Sequence, residues 1–290
     1  DLHSFPTRRS SDLHIGDKTI KELIDARAPL VCGSNYPRKM IALLSYNYIC
    51  GGTDRVADLT VRTKNGRTNM TVDRYAYSAF SIKGAIDSVW KILPGNIGYV
   101  NMARLQVANV NSVMQQLKGC GSIIFDIRNY PLGTYAYIAQ YLLASQQNFA
   151  RLAYPNLDYP GTYLWKGYFN VVGPAKSNKH IFHYQGKVVL LVNEFTISHA
   201  EWTTMALQTV PGCITIGSQT AGADGNVSRP VWPGKVTSPL TGLGVFYPDG
   251  SPTQRVGVKV DIEVRPTAEG IRDGRDEVLE KAIQHIQDKR

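Results

Sequence analysis

The sequence predicts an α/β fold, and three observations carry that expectation. Apolar runs of strand length recur along the chain: SIIFDI at 122–127, KVVLLVN at 187–193 and CITIG at 213–217. Amphipathic stretches with helical spacing lie between and after them. Turn segments carrying Gly, Pro and Asn bound the runs. A run that is apolar on both faces suits a strand covered by helices on both sides of one sheet.

Taken in order, residues 1–13, DLHSFPTRRSSDL, back-translate along their whole length into a short-read sequencing adapter. They are set aside from fold reasoning, and a gene that starts upstream of His14 is expected. From His14 the stretch KTIKELIDA reads as the one helix of a region otherwise made of short strands. A hairpin follows: Leu59 and Val61 before Lys64-Asn65-Gly66-Arg67, and Met70 and Val72 after it, alternate with period two around an Asn-Gly step. The expected organisation is a first domain over 14–80, a linker over 81–94 and a larger domain over 95–290.

In the larger domain Ile97–Asn101 reads as a strand, and Val107, Val110, Met114 and Leu117 mark one face of a helix. Ile138, Leu142 and Leu143 mark another. The stretch 154–170, YPNLDYPGTYLWKGYFN, has too much Pro and Gly for a long helix. Its Tyr and Trp residues suit either the wall of a peptide groove or the packing of a long excursion. A helix from Gly274 to Asp288 closes the chain, with Val278, Leu279, Ala282, Ile283 and Ile286 as its core stripe.

Composition narrows the function classes. Lys and Arg number 32 against 23 Asp and Glu, a net charge of +9 in 290 residues, of which 43% are hydrophobic. That content supports a full core and excludes a disordered chain. The basic residues are scattered, without the stripe or aromatic-basic platform of a nucleic-acid surface, so no nucleic-acid partner is expected. Cys32, Cys50, Cys120 and Cys213 have no metal-ligand spacing. No metal or other cofactor is expected, and a Cys32–Cys50 disulfide is left open. No apolar run is long enough to span a bilayer.

The chemistry gathers at two strand ends. KVVLLVN runs through Glu194-Phe195-Thr196-Ile197 to Ser198-His199-Ala200-Glu201, where helical composition begins. A serine at a helix start sits beside free backbone N–H groups that could hold an oxyanion. The same Ser-x-x-Glu spacing also reads as a plain capping box. SIIFDI in turn ends in Arg128-Asn129-Tyr130-Pro131-Leu132-Gly133, a Gly-bearing turn at the sheet edge where α/β sites are built.

Here a resemblance enters. FDIRNYPLG is similar to the D-x-R-x-N-x-G-G type turn, and LVNEFTISHAE to the nucleophile segment, of tail-specific and tricorn-like serine peptidases. IGSQTAGADGNVS, YPDGSPTQRVGVKVDIEVRPT and GRDEVLEKAI follow in the family's order, so the resemblance covers about Gly95 to Ile286. It implies the spiral ββα architecture shared with Clp protease and crotonase folds, and a first domain that is the C-terminal part of a PDZ-like domain. It also implies Ser198 as nucleophile and backbone N–H groups of His199 and of Gly133, or its neighbour Leu132, as the oxyanion hole. A protein or peptide is the implied substrate, and a periplasmic or secreted location follows.

Two departures stand out. The general-base Lys of one branch falls on Ala223, so no Ser–Lys dyad is available. The orienting Glu of the tricorn-like branch falls on Gln254. That branch takes its base from a His that precedes its PDZ-like domain, and none of His14, His180, His183, His199 and His285 has the matching context. An activity-poor fragment of a serine peptidase is therefore expected. The rivals are an inactive peptide- or lipid-binding relative and a crotonase-type acyl-CoA enzyme.

Overall fold

The computed structural model describes residues 13–44, 49, 51–63, 65–76, 88–174 and 182–288. Most of the segment set aside at the N-terminus, much of the expected linker, Cys50 and His180 lie outside them. The chain divides into two compact units, residues 1–87 with 267–273, and residues 88–266 with 274–290. Among the described residues no helix is long and apolar enough to cross a membrane.

In the first unit, β1 (His14–Ile15), β2 (Lys18–Thr19), β3 (Val56–Thr63) and β4 (Gly66–Asp73) form an antiparallel sheet in the order β2-β1-β3-β4. The expected hairpin is β3–β4, with Leu59 opposite Met70 and Gly66 at φ +106°. Its period-two pattern does not mark a deeply buried face, since Met70 is 46% exposed. Helix α1 (Ile20–Arg27) starts at Thr19 and Glu22, which cap each other reciprocally. A second helix, α2 (Tyr36–Leu44), corrects the reading of a single helical stretch. Pro37 sits in its first turn, where the missing N–H costs nothing and the fixed φ suits the start of a helix. Met40 and Leu43 of α2 pack with Leu23 and Val31 in a small core.

The second unit is built on a six-stranded sheet. Its strands are β5 (Trp90–Leu93), β6 (Ile97–Asn101), β7 (Ser122–Asp126), β10 (Lys187–Val192), β11 (Ile214–Gly217) and β17 (Ile262–Glu263). The order is β17-β11-β10-β7-β6-β5, and every pair is parallel except β5–β6. The helices are α3 (Val110–Leu117), α4 (Tyr135–Leu142), α5 (His199–Leu207) and α7 (Glu277–Asp288); α6 (Ala268–Arg272) groups with the first unit. The apolar runs read from sequence are the central strands, and Ile123, Phe125, Leu190 and Val192 are fully buried. Each such side chain contributes about 1.5–3 kcal/mol relative to exposure. Val107 is the exception to the helical face assigned above; it lies in a 3-10 turn before α3 and is 40% exposed.

The excursion at 154–170 is β-structure. β8 (Gln147–Pro155) and β9 (Tyr163–Val172) pair antiparallel, and β16 (Gly244–Phe246) adds to β8. Two short ribbons, β12 (Val227–Ser228) with β15 (Leu240–Thr241) and β13 (Val231–Trp232) with β14 (Val236–Thr237), precede β16. Tyr159, Tyr163 and Tyr168 stand 63–70% exposed, so this hairpin is not core packing.

Candidate functional site

The parallel register places Asp126 of β7 beside Leu191 of β10, so both strands end at one edge of the sheet. The two segments that leave this edge are tied together. Ile127 N–H donates to the Leu191 carbonyl at 2.9 Å. Buried Thr196 donates its hydroxyl to the Ile127 carbonyl at 3.0 Å and accepts Asn193 N–H at 3.0 Å. Sequence reasoning named both segments separately; these bonds bring the Gly133 turn against the Ser198 turn.

The charged residues of the first turn are structural. Arg128 spans two carboxylates, reaching Asp126 at 2.6 and 2.9 Å and Asp276 at 2.7 Å through each of two nitrogens. Burial opposes its charge, but the two carboxylates outweigh burial and hold the guanidinium protonated. Asp276 also accepts Leu279 N–H at 3.0 Å, capping α7, and Tyr99 donates to Asp126 at 2.8 Å. Asp126 and Asp276, 150 residues apart in two of the quoted motifs, thus meet on one Arg.

Gly133 has φ +75°, a conformation that a side chain disfavours. A Cβ at Gly133 would stand 3.9 Å from His199 Nε2, so the turn and the start of α5 are neighbours. Among the described residues neither Gly133 N–H nor His199 N–H has a protein acceptor. The His199 ring lies near Tyr130 and Tyr135, with centroids 6.2 and 5.7 Å away. Burial holds its pKa below the ordinary value, and Nε2 is buried with no hydrogen-bond partner among the described residues. The ring therefore points to the Gly133 side, and no hydrogen bond joins it to the Ser198 hydroxyl among the described residues.

Ser198 is the N-cap of α5 and has φ +54°, ψ −123°. A residue with a Cβ is strained there, at a cost of about 1–3 kcal/mol. Glu201 answers from the first turn: its carboxylate accepts Ser198 N–H at 3.3 Å. The capping reading of this pair is thus present together with the strain, which an ordinary cap in extended conformation does not carry. Ser198→Gly is expected to raise stability by about 1 kcal/mol after the entropy of glycine is counted. A lower thermal midpoint than wild type would contradict that strain.

Glu201 reaches further than a cap. It is fully buried and also accepts Thr220 Oγ1 at 2.5 Å, Gly222 N–H at 2.7 Å and Ala223 N–H at 2.9 Å. The loop it holds, residues 220–225, is also fastened to 253–258. Gly222 accepts Arg255 N–H at 2.7 Å, and a Cβ at Gly222, φ +61°, would strike the Arg255 backbone at 2.7 Å. Gln254 sits in this second loop, half-buried; no bond links its side chain to Ser198 among the described residues.

A cavity of about 360 Å³ opens beside Ser198 and His199. Leu152, Trp202 and Val245 give it apolar surface, and Lys166 and Asn170 of β9 reach it from the aromatic hairpin. Asp224 also lines it. Neither Asp224 nor Lys166 stood out in the sequence: in TAGADG the motif comparison concerns Ala223, which stands at the Lys position, and the acid beside it belongs to no quoted pattern.

The backbone is similar to that of solved structures. A peptidase-like protein from Parabacteroides merdae ATCC 43184 matches with TM-score 0.60 and 20% identity, over 68% of this chain and 63% of that one. Mature CPAF matches with TM-score 0.69 and 16% identity, over 95% of this chain and 76% of that one. Mature CPAF complexed with lactacystin matches with TM-score 0.68 and 14% identity, over 95% and 77%. Likeness at this identity speaks for a shared mixed α/β fold, and the chain spans less than two thirds of the Parabacteroides protein. No curated protein matches the chain. The model of peptidase family S41 matches residues 96–264, more than half of the sequence and the whole of the edge that carries Ser198, so the chain belongs to peptidase family S41, a family of serine peptidases.

Proposed function

We propose that this chain carries the catalytic domain of an endopeptidase that cleaves proteins or peptides through an acyl-enzyme on Ser198. The observation that carries the reading is the strained Ser198 at the start of α5, whose neighbour His199 lies against a positive-φ Gly133 with no protein acceptor for its N–H among the described residues. Ser198 Oγ attacks the scissile carbonyl, its proton passes to a base, and the carbonyl electron pair moves onto oxygen. The N–H groups of His199 and Gly133 or Leu132 receive that oxyanion at the positive end of the helix. The oxyanion then collapses to a carbonyl as the C–N bond breaks, and the protonated base gives its proton to the leaving amine. Water, deprotonated by the same base, attacks the resulting ester, and the proton returns to Ser198 Oγ as the acid leaves.

The base is a His outside these 290 residues, as the tricorn-like resemblance implies. Ala223 occupies the place of the alternative Lys, and its N–H is committed to Glu201. Gln254 is assigned a supporting hydrogen bond to that His. The first unit, with its β3–β4 hairpin and helix α1, is read as part of a PDZ-like domain that meets the substrate chain. A periplasmic or secreted setting follows from the resemblance to secreted relatives.

The experiment is active-site labelling of the whole protein, including any segments beyond this sequence. A fluorophosphonate is expected to form a mass adduct on Ser198, and Ser198→Ala is expected to lose the adduct and peptide hydrolysis by at least about a thousandfold while unfolding normally. A wild-type protein that binds peptide without adduct or turnover would replace this reading with that of a binding relative.

A further inference from the structure

Asp224 is 5% exposed, and the two oxygens of its carboxylate are treated unequally. Oδ1 accepts Gly225 N–H at 2.7 Å. Oδ2 is buried and has no partner among the described residues. A buried carboxylate oxygen without a donor is costly, and such groups in folded proteins are normally paired. Asp224 is one of the residues that line the cavity beside Ser198.

The charged neighbours do not resolve it. Glu201, from α5, is an acid and adds repulsion. His199 lines the same cavity but burial favours its neutral form. Lys166 lines the cavity from β9, yet no ion pair joins it to Asp224 among the described residues. The apolar surface of Leu152, Trp202 and Val245 suits a methylene stem, which long basic side chains bury while their heads seek a partner.

We infer that the cavity is a subsite for a basic side chain of the peptide substrate, with its cationic head paired to Asp224 Oδ2. The inference rests on the reading of the Ser198 edge as a peptide site and adds to it the class of residue held next to the reacting bond. Asp224 thereby determines specificity, and its pairing requires the ionised carboxylate, so recognition strengthens as pH rises.

The test separates the two readings because it measures binding and not turnover. Fluorescein-labelled alanine peptides with one central Lys, norleucine or Glu are titrated against the Ser198→Ala protein by fluorescence anisotropy. At pH 8 the Lys peptide is expected to bind at least about tenfold more tightly than the norleucine peptide, the scale of a desolvated charge pair. The Glu peptide is expected to bind most weakly. Below pH 6 the Lys preference shrinks as Asp224 takes up a proton. Adding Asp224→Asn, which keeps shape and hydrogen bonding to Gly225, removes the preference and leaves norleucine affinity within about twofold. Equal affinity for Lys and norleucine, no measurable binding of the Lys peptide, or a preference that survives Asp224→Asn overturns the inference. A Ser198 adduct in the wild type would stand regardless.

Discussion

Glu201→Ala is expected to lower unfolding free energy by about 3–5 kcal/mol and to suppress labelling of Ser198 by fluorophosphonate. Four donors converge on this fully buried carboxylate: Ser198 N–H, Thr220 Oγ1, Gly222 N–H and Ala223 N–H. Three are backbone groups that cannot turn away, and each loses its acceptor in the alanine protein. An orphaned buried donor costs about 1–3 kcal/mol, and water entering the vacated space returns part of the total. Burial raises the Glu201 pKa, and its four hydrogen bonds work against that rise. Glu201→Gln tests the bonding more finely, because one amide oxygen remains as acceptor while the NH2 group faces donors. A loss of about 2 kcal/mol is expected there. Urea unfolding of both variants, with the labelling rate of the same samples, measures the effect. An alanine variant within about 1 kcal/mol of wild type would show that the four bonds do not act as a unit.

The elements most legible in the sequence are those whose signal is one-dimensional. β7 and β10 read directly because both faces are buried, so three apolar residues in β7 and five in β10 run without interruption. α7 read nearly to its limits because Val278, Ala282 and Ile286 repeat at helical spacing. Helix α2 was missed because Pro37 is a breaker inside a helix and a starter in its first turn, and position decides which. The site divides the same way. Ser198 and Gly133 stand out by motif and by the conformations their places demand. Asp224 and Lys166 join the site only through loops and a hairpin whose return path no local pattern specifies, and an acid between two glycines in TAGADG has the composition of any turn. Glu201 was legible as a cap and illegible as the anchor of residues 220–223, because that role exists only once the second loop has folded back onto α5.

Asp224→Asn is expected to change the pH dependence of stability between about pH 4 and pH 8. Burial, with a smaller contribution from the Glu201 charge, lifts the Asp224 carboxyl from its ordinary 3.8 to about 7, although Gly225 N–H pulls it the other way. Below the ordinary value both folded and unfolded chains hold the proton, and Asp224 contributes no slope. Between about pH 4 and pH 7 the folded chain keeps a proton that the unfolded chain has released, so stability falls as pH rises. Above about 7 both are ionised and the full penalty persists. Three pH units of displacement correspond to about 4 kcal/mol, an upper scale because an opened structure can admit water. The asparagine protein does not titrate there. Its stability relative to wild type is expected to grow by up to about 4 kcal/mol from pH 4 to pH 8, read by urea unfolding across that range. Parallel stability curves for the two proteins would place the Asp224 pKa near its ordinary value. Oδ1 has a structural bond to Gly225 N–H, whereas Oδ2 has no partner among the described residues, and a cationic side chain seated on Oδ2 supplies one: the same pairing that recognises the substrate offsets the cost of burying the charge. A saturating Lys peptide is therefore expected to flatten the wild-type curve between about pH 4 and pH 8 and to raise the asparagine curve by the same amount at every pH, without changing its slope.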